Sequence, residues 1–418
     1  MLRVLFGIFV VLLLHLPIQK NCSFVTNIVC CIFFEDKNMT SGNMVLIKTV
    51  ISVYYRISFL ALLLFVISAV CAQAQKEAEI WAVGSGNQFN FQSGNIVISA
   101  FTGNPNAKAT ICDKEGNLVL YSDGHTIWNS NNEILINGEE LIKPDESFNN
   151  PPVFIPYPQK EGWYILIYEE DKLNTTAGLY NNKLYYAEIN TNTYGGRGEV
   201  VSKNIKIHDN YHSGPTIAGY CNNSYYWLII DRNDNVVSDF KRDRIYFYKI
   251  DENGVSVTPK INDEIDIGNS GNYKLSPDGD KFFFSYQTNA EQSLTHQIVD
   301  FDFTNGNLYN FRNAALDINY LVEFSADSRM CYYFLGANLV QIDAGFSDSK
   351  NTLNSAKSIL TISTDTLVVF PGIDLQLAPD GKIYFLYFDI HDQKTKLGRI
   401  KYPNKGGDAC GVEIDFYT

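Results

Sequence analysis

The amino-acid sequence predicts an all-β fold, a β-propeller of six or seven blades preceded by an N-terminal signal peptide. Three observations lead there. One kind of turn recurs in the second half of the chain, each time between two apolar strands: Tyr273-Lys-Leu-Ser-Pro-Asp-Gly-Asp-Lys-Phe-Phe-Phe-Ser285, Val322-Glu-Phe-Ser-Ala-Asp-Ser-Arg-Met-Cys-Tyr-Tyr-Phe334 and Leu375-Gln-Leu-Ala-Pro-Asp-Gly-Lys-Ile-Tyr-Phe-Leu-Tyr387. The turns begin at residues 276, 325 and 378, 49 and 53 residues apart, which is the period of one propeller blade. Composition agrees, because 26 Tyr and 27 Phe far outnumber 4 Met, and strand formers dominate after residue 75.

The turn chemistry explains the hairpins. In Ser276-Pro277-Asp278-Gly279, proline presets φ at the first central position of a type I turn, and aspartate suits the second. Glycine then takes the left-handed conformation that matches strand twist. Pro379, Asp380 and Gly381 repeat this set, and Asp327 holds its place in the middle turn. Each such aspartate is expected to bind its own backbone rather than calcium, since Asp278-Gly-Asp280 is too short a fragment of a D-x-D-x-D-G loop.

Upstream the same rhythm continues. Cys112 to Tyr121 reads as strand, Gly turn, strand, and Ser122 to Asn129 adds a turn and a strand. A second blade takes the buried-length run Gly162 to Tyr168, then Lys183 to Ile189 and the turn Gly195-Gly-Arg-Gly198. A third runs through Ser224 to Ile230, Arg244 to Ile250 and Asp251-Glu-Asn-Gly254. Three more begin near Gly271, Asn319 and Gly372. The early segment Glu79 to Phe91 has no nearby partner and is assigned to ring closure or to a seventh, composite blade.

Two apolar stretches precede this part. Ile57 to Val70 follows Lys48 and Arg56 and ends in Cys71-Ala-Gln-Ala-Gln75, the three regions of a secretory signal peptide with cleavage before Gln75. Met44 is the expected true start, so residues 1–43 are an upstream extension or anchor, 44–74 the signal peptide and 75–418 the propeller. No stable membrane span is expected in the mature chain, whose 28 basic and 44 acidic residues give a formal charge of about −16. That charge opposes a phosphate backbone, so nucleic acid is excluded as a partner. The four remaining cysteines, Cys112, Cys221, Cys331 and Cys410, allow two disulfides in an oxidising compartment, and none has a zinc-ligand spacing.

Several phrases resemble the N-terminal propeller domain of large secreted proteins from bacteria with type IX secretion and gliding motility. They are Trp81 with Gly84 and Phe91, Ala109 to Asn129, Asn223 to Ile229, Leu275 to Lys281, Val322 to Arg329, Leu375 to Tyr384 and Pro403 to Cys410, covering 79–412 in family order. The stretch through Asp123-Gly-His-Thr-Ile-Trp128 is the specific one; the Pro-Asp-Gly turns also fit TolB-like and WD-repeat-like propellers. The resemblance implies an adhesin-type module at the cell surface or in the periplasm. Members continue past the Ala-Cys motif into further strands, immunoglobulin-like modules and a sorting domain, so this chain is expected to be shorter than its relatives.

The sequence nominates few chemical groups. Glu169 and Glu170 end one long apolar strand, and Asp231 and Asp234 end another, so either group can supply the carboxylates of a glycosidase or lyase at a channel mouth. Exposed acids at strand ends are the plainer reading. His208 and His212 have a zinc spacing only on a helix, yet they lie between strand signals. Trp81, Trp128, Trp163 and Trp227, with Tyr185, Tyr186, Tyr225 and Tyr226, are expected to pack between blades; those facing outward can stack on sugars or peptide side chains. There is no nucleophile elbow, phosphate loop or dinucleotide fingerprint, and no cofactor or metal is expected. The expectation is therefore a monomeric, secreted, non-enzymatic propeller that binds a protein or glycan. The alternatives are a propeller enzyme acting on polysaccharide and a periplasmic TolB-like scaffold.

Overall fold

The computed structural model describes residues 76–417 except 83–85, 143–150, 171–172, 175–178, 181, 212–215, 220–223, 233–242, 268–272, 288–293, 317–321, 336–337, 362–366, 369–374 and 390–392. The segments expected to be a signal peptide and an upstream extension lie outside the described residues. Ala74–Thr418 forms one compact unit, a seven-bladed β-propeller with almost no helix.

Blade 1 holds β1 (Ile80–Ala82), β2 (Asn87–Asn90) and β3 (Val97–Ala100), and blade 2 holds β4 (Ala109–Cys112), β5 (Leu118–Ser122) and β6 (Ile127–Asn129). Blade 3 comprises β7 (Val153–Pro156), β8 (Trp163–Glu170), a small hairpin of β9 (Leu173–Asn174) and β10 (Leu179–Tyr180), then β11 (Asn182–Asn190) and β12 (Glu199–Tyr211). Blade 4 comprises β13 (Thr216–Gly219), β14 (Tyr226–Arg232), β15 (Asp243–Asp251), β16 (Gly254–Val255) and β17 (Lys260–Ile267). Blade 5 is β18 (Tyr273–Leu275), β19 (Lys281–Gln287), β20 (Leu294–Asp302) and β21 (Asn307–Leu316). Blade 6 is β22 (Val322–Phe324), β23 (Met330–Leu335), β24 (Asn338–Asp343), helix α1 (Ser349–Asn354) and β25 (Lys357–Thr361). Blade 7 is the short β26 (Leu367–Val368), then β27 (Leu375–Leu377), β28 (Ile383–Asp389), β29 (Lys394–Ile400) and β30 (Val412–Tyr417).

Every strand pair named here is antiparallel, as short turns require. Strand β8, Trp-Tyr-Ile-Leu-Ile-Tyr-Glu-Glu, is apolar on both sides because each side meets another blade. Its even residues, Tyr164, Leu166 and Tyr168, pack with Ile111 and Leu120 of blade 2. Its odd residues, Ile165 and Ile167, pack with Leu228 and Tyr246 of blade 4. Trp227 is buried between blades 4 and 5 and donates its Nε1–H to the Phe303 carbonyl at 2.7 Å.

Two expectations change. The segment Glu79 to Phe91 is neither a closing strand nor half of a composite blade: β1, β2 and β3 pair with one another as a sheet of their own. Blade 7 takes all its strands from the C-terminal part, and the ring closes by face packing of Trp81, Phe89 and Phe91 on Ala378, Tyr384 and Leu397. The two-disulfide framework also fails. Cys112, Cys331 and Cys410 are buried free thiols, because the fold sends β4 and β23 to separate sheets and Cys410 to the turn before β30; Cys221 lies outside the described residues.

Burial pushes the Cys112 thiol up to about 12 and raises those of Cys331 and Cys410. A thiolate is the reactive form. We predict that site-resolved alkylation of the native chain at pH 8 leaves these three cysteines unmodified, and that all three react once the chain is unfolded in denaturant.

Candidate functional site

The turns between first and second strands mark one face of the propeller. In the first of them, Ser276 Oγ donates to Asp278 Oδ1 at 2.5 Å, Asp280 N donates to Asp278 Oδ1 at 3.1 Å, and Gly279 adopts φ +77. Ser325 and Asp327 repeat the bond at 2.6 Å, but Ser328 takes the glycine position at φ +59. Its hydroxyl explains the exchange, for it accepts the Asp278 backbone N–H of the neighbouring blade at 3.0 Å. In blade 7, Asp380 is almost fully buried and binds Lys382 Nζ at 2.6 Å and the Tyr384 hydroxyl at 2.8 Å. These carboxylates hold turns and blade contacts together.

Near the axis a charged tie links three blades. Glu323, from the innermost strand of blade 6, is 1% exposed. Its Oε2 accepts Lys274 Nζ of blade 5 at 2.7 Å and the Leu377 N–H of blade 7 at 2.8 Å, while Oε1 accepts the Phe324 N–H at 2.8 Å. The sequence reading passed over Glu323, although its signal was present: the central residues of three repeated inner strands are Lys274, Glu323 and Gln376, polar where the flanking residues are apolar.

The catalytic candidates lie at the opposite face, where the second strands of blades 3 and 4 end. Glu169 and Glu170 are both buried. They are adjacent on β8, so their side chains project to opposite sides of the sheet. Glu170 Oε2 accepts the Tyr185 hydroxyl at 2.9 Å and Lys183 Nζ at 3.2 Å. The Glu170 charge adds to burial in pushing the Tyr185 hydroxyl up to about 12. Asp231 sits on β14 of blade 4, opposite Ile245 of β15 in the same blade, and Asp234 lies outside the described residues. His208 is a strand residue on β12, with Nδ1 2.7 Å from the Tyr248 hydroxyl; His212 lies outside the described residues. Among the described residues no three His, Cys, Asp or Glu side chains group closely enough to hold a metal ion.

Aromatic rings paired with lysines occupy the turn face. Lys160 Nζ stands 3.8 Å from the Tyr157 ring centroid and 5.4 Å from that of Trp163, on the link between β7 and β8. Lys249 lies 4.5 Å over Tyr225, where β14 begins. Lys405 and Lys401 lie 4.8 and 5.7 Å over Tyr402, an exposed ring on the link between β29 and β30. Tyr194 is exposed on the corresponding link of blade 3. Such pairs present flat apolar rings beside positive charge on a protein that is acidic overall.

One ion pair of blade 5 has a pH consequence. Arg312 is nearly buried, and its Nη2 meets Asp300 Oδ1 at 2.7 Å, while Asn310 donates to Oδ2 at 2.8 Å. Partial desolvation works to raise the Asp300 pKa, but the bonds from Arg312 and Asn310 outweigh it and hold the acid below its ordinary value of 3.8. A depressed acid contributes stability above that value and loses it as pH falls through the folded-state pKa. Asp300→Asn should therefore unfold earlier than the parent at pH 7, and the gap should narrow as pH falls below 3.8; parallel melts at pH 7 and through the acid range check this.

Residues and geometry together define a class, the seven-bladed β-propeller. No family model matches the chain, and no curated protein does. Solved structures with similar folds include TolB from Acinetobacter baumannii, at 12% identity and TM-score 0.33 over 69% of this chain and 58% of that one, so this chain spans less than two thirds of it. An oligogalacturonate lyase in complex with manganese matches at 12% identity and TM-score 0.44, over 74% of this chain and 84% of that one. The Dos1 propeller matches at 14% identity and TM-score 0.38, over 75% and 76%. At such identities the likeness is one of fold.

Proposed function

We propose that this chain is a secreted recognition scaffold, non-enzymatic and monomeric, that binds a protein or glycan at the cell surface. The observation that carries the reading is the turn face, where Trp163, Tyr225, Tyr402 and Tyr194 stand on rigid hairpins, three of them beside lysines. Aromatic rings held this way stack on sugar faces or peptide side chains at low entropic cost. The acids at the other face favour the same reading, since Glu169 and Glu170 diverge and Glu170 is occupied by Lys183 and Tyr185. An extracytoplasmic site fits the signal-like segment ending at Gln75 and the formal charge of about −16 beyond it. Attachment to a type IX secretion or gliding apparatus belongs to this proposal and rests on the resemblance of Ala109 to Asn129.

The test is a glycan and polysaccharide array probed with the chain, followed by an assay of the same wells for reducing ends. Saturable binding that Tyr402→Ala or Trp163→Ala weakens, without new reducing ends, is the expected result. Time-dependent release of reducing ends would overturn it in favour of a polysaccharide-cleaving enzyme.

A further inference from the structure

Blade 1 differs from the other six in the direction of its innermost strand. Glu79, just before β1, lies beside Gly116, in the turn that follows β4; a Cβ placed on Gly116 would be 3.2 Å from Glu79 Cγ. Gly86, beyond the other end of β1, donates its N–H to the carbonyl of Pro105, which precedes β4, at 3.2 Å. So β1 runs antiparallel to β4. In blades 5 and 6 the inner strands run alike, as the bond between the turns after β18 and β22 shows. Blade 1 thus has second, third and fourth strands in the order of its neighbours, and among the described residues no strand fills its first position.

Among the described residues no main chain pairs with the edge of β1 facing that position. Phe91 N donates to Glu79 O at 2.9 Å, so the groups of Glu79 turn toward β2 and, by antiparallel alternation, those of Ile80 and Ala82 turn away. A side chain of β4 serves Ile80 instead: the Thr110 hydroxyl donates to its carbonyl. The series of polar ties around the axis also stops here. Lys274 reaches Glu323, and Glu323 reaches the Leu377 N–H, but among the described residues the Gln376 carboxamide bonds back to the carbonyl of Leu377 beside it, at 3.2 Å.

We propose that blade 1 is a strand acceptor: an extended segment of a partner protein, apolar–polar–apolar in sequence, adds along β1 parallel to β4 and completes the ring. Its pattern follows from the inner strands already in place, Tyr273-Lys-Leu, Val322-Glu-Phe and Leu375-Gln-Leu, whose contacts it continues. Main-chain groups of the segment replace Thr110 as the partner of Ile80, and Gln376 holds it as Glu323 holds Leu377. The site is separate from the aromatic turn face, so the two readings stand or fall apart.

The probe is a synthetic peptide, Leu-Gln-Leu-Ala-Pro-Asp-Gly, copied from residues 375–381, with a scrambled control. Hydrogen exchange of the full chain should slow at Ile80 and Ala82 by about tenfold when the peptide is added, and not with the control. By fluorescence anisotropy, Gln376→Ala should weaken binding by roughly 3- to 10-fold, the worth of one hydrogen bond. Thr110→Val, which removes the competing hydroxyl, should tighten it. Unchanged exchange at both amides, exchange already slow without peptide, or equal binding by the parent and both variants would each overturn the proposal.

Discussion

Replacing Glu323 by alanine is expected to lower the unfolding free energy by about 3 kcal/mol, near the lower end for breaking a buried ion pair. The lower end applies because Lys274 keeps 29% of its side-chain surface in solvent and can rehydrate. The Phe324 N–H, in a fully buried residue, cannot, and it and the part-buried Leu377 N–H both lose their acceptor. A loss of that size in a domain of this length lowers the melting temperature by about 4 °C. Glu323→Gln keeps an acceptor for one N–H but not the charge, and should cost roughly 1–2 kcal/mol. Chemical denaturation of the three proteins gives the ranking directly. A drop below about 1 kcal/mol for Glu323→Ala would mean that the tie contributes no more than an exposed pair.

The second large effect is expected from one missing side chain. Gly398 on β29 pairs directly with Phe385 on β28, and a Cβ at 398 would overlap the Phe385 ring. That ring cannot retreat: it is 1% exposed, packs edge-on against Phe334 at 5.6 Å and lies tilted against Tyr387 at 6.3 Å. Gly398→Ala should therefore destabilise by about 2–3 kcal/mol, the cost of overpacking a filled core. Pairing it with Phe385→Leu should recover part of the loss, because the smaller side chain vacates the overlap. Gly406→Ala is the control, since its Cβ would meet only Met330 Cε at 3.8 Å; it should stay within about 0.5 kcal/mol of the parent. Equal unfolding midpoints for Gly398→Ala and Gly406→Ala would remove the steric account.

The blade period was legible because its cause is local. Pro277, Asp278 and Gly279 specify their turn through φ preferences and bonds reaching two to five residues along the chain, and the same holds for Pro379, Asp380 and Gly381. Alternation along β8 was likewise legible as a doubly buried strand. Asp380 shows where local reasoning ends. Its role in the turn was readable, but its burial against Lys382 and Tyr384 depends on blade 7 meeting blade 1. Glu169 and Glu170 looked like a pair because they are neighbours in sequence, yet adjacency on a strand is what separates two side chains.

The sequence by itself determined the all-β class, the repeat, the turns and the acidic balance, since each depends on residue type and short spacing. The tertiary structure decided the partners of Glu323, the unpaired state of Cys112, Cys331 and Cys410, and the reversed direction of β1 against β4. The physical reason is distance. A buried charge or an open strand edge takes its energy from groups that only ring closure brings within bonding reach, and Lys274, Glu323 and Leu377 lie about fifty residues apart until the blades meet.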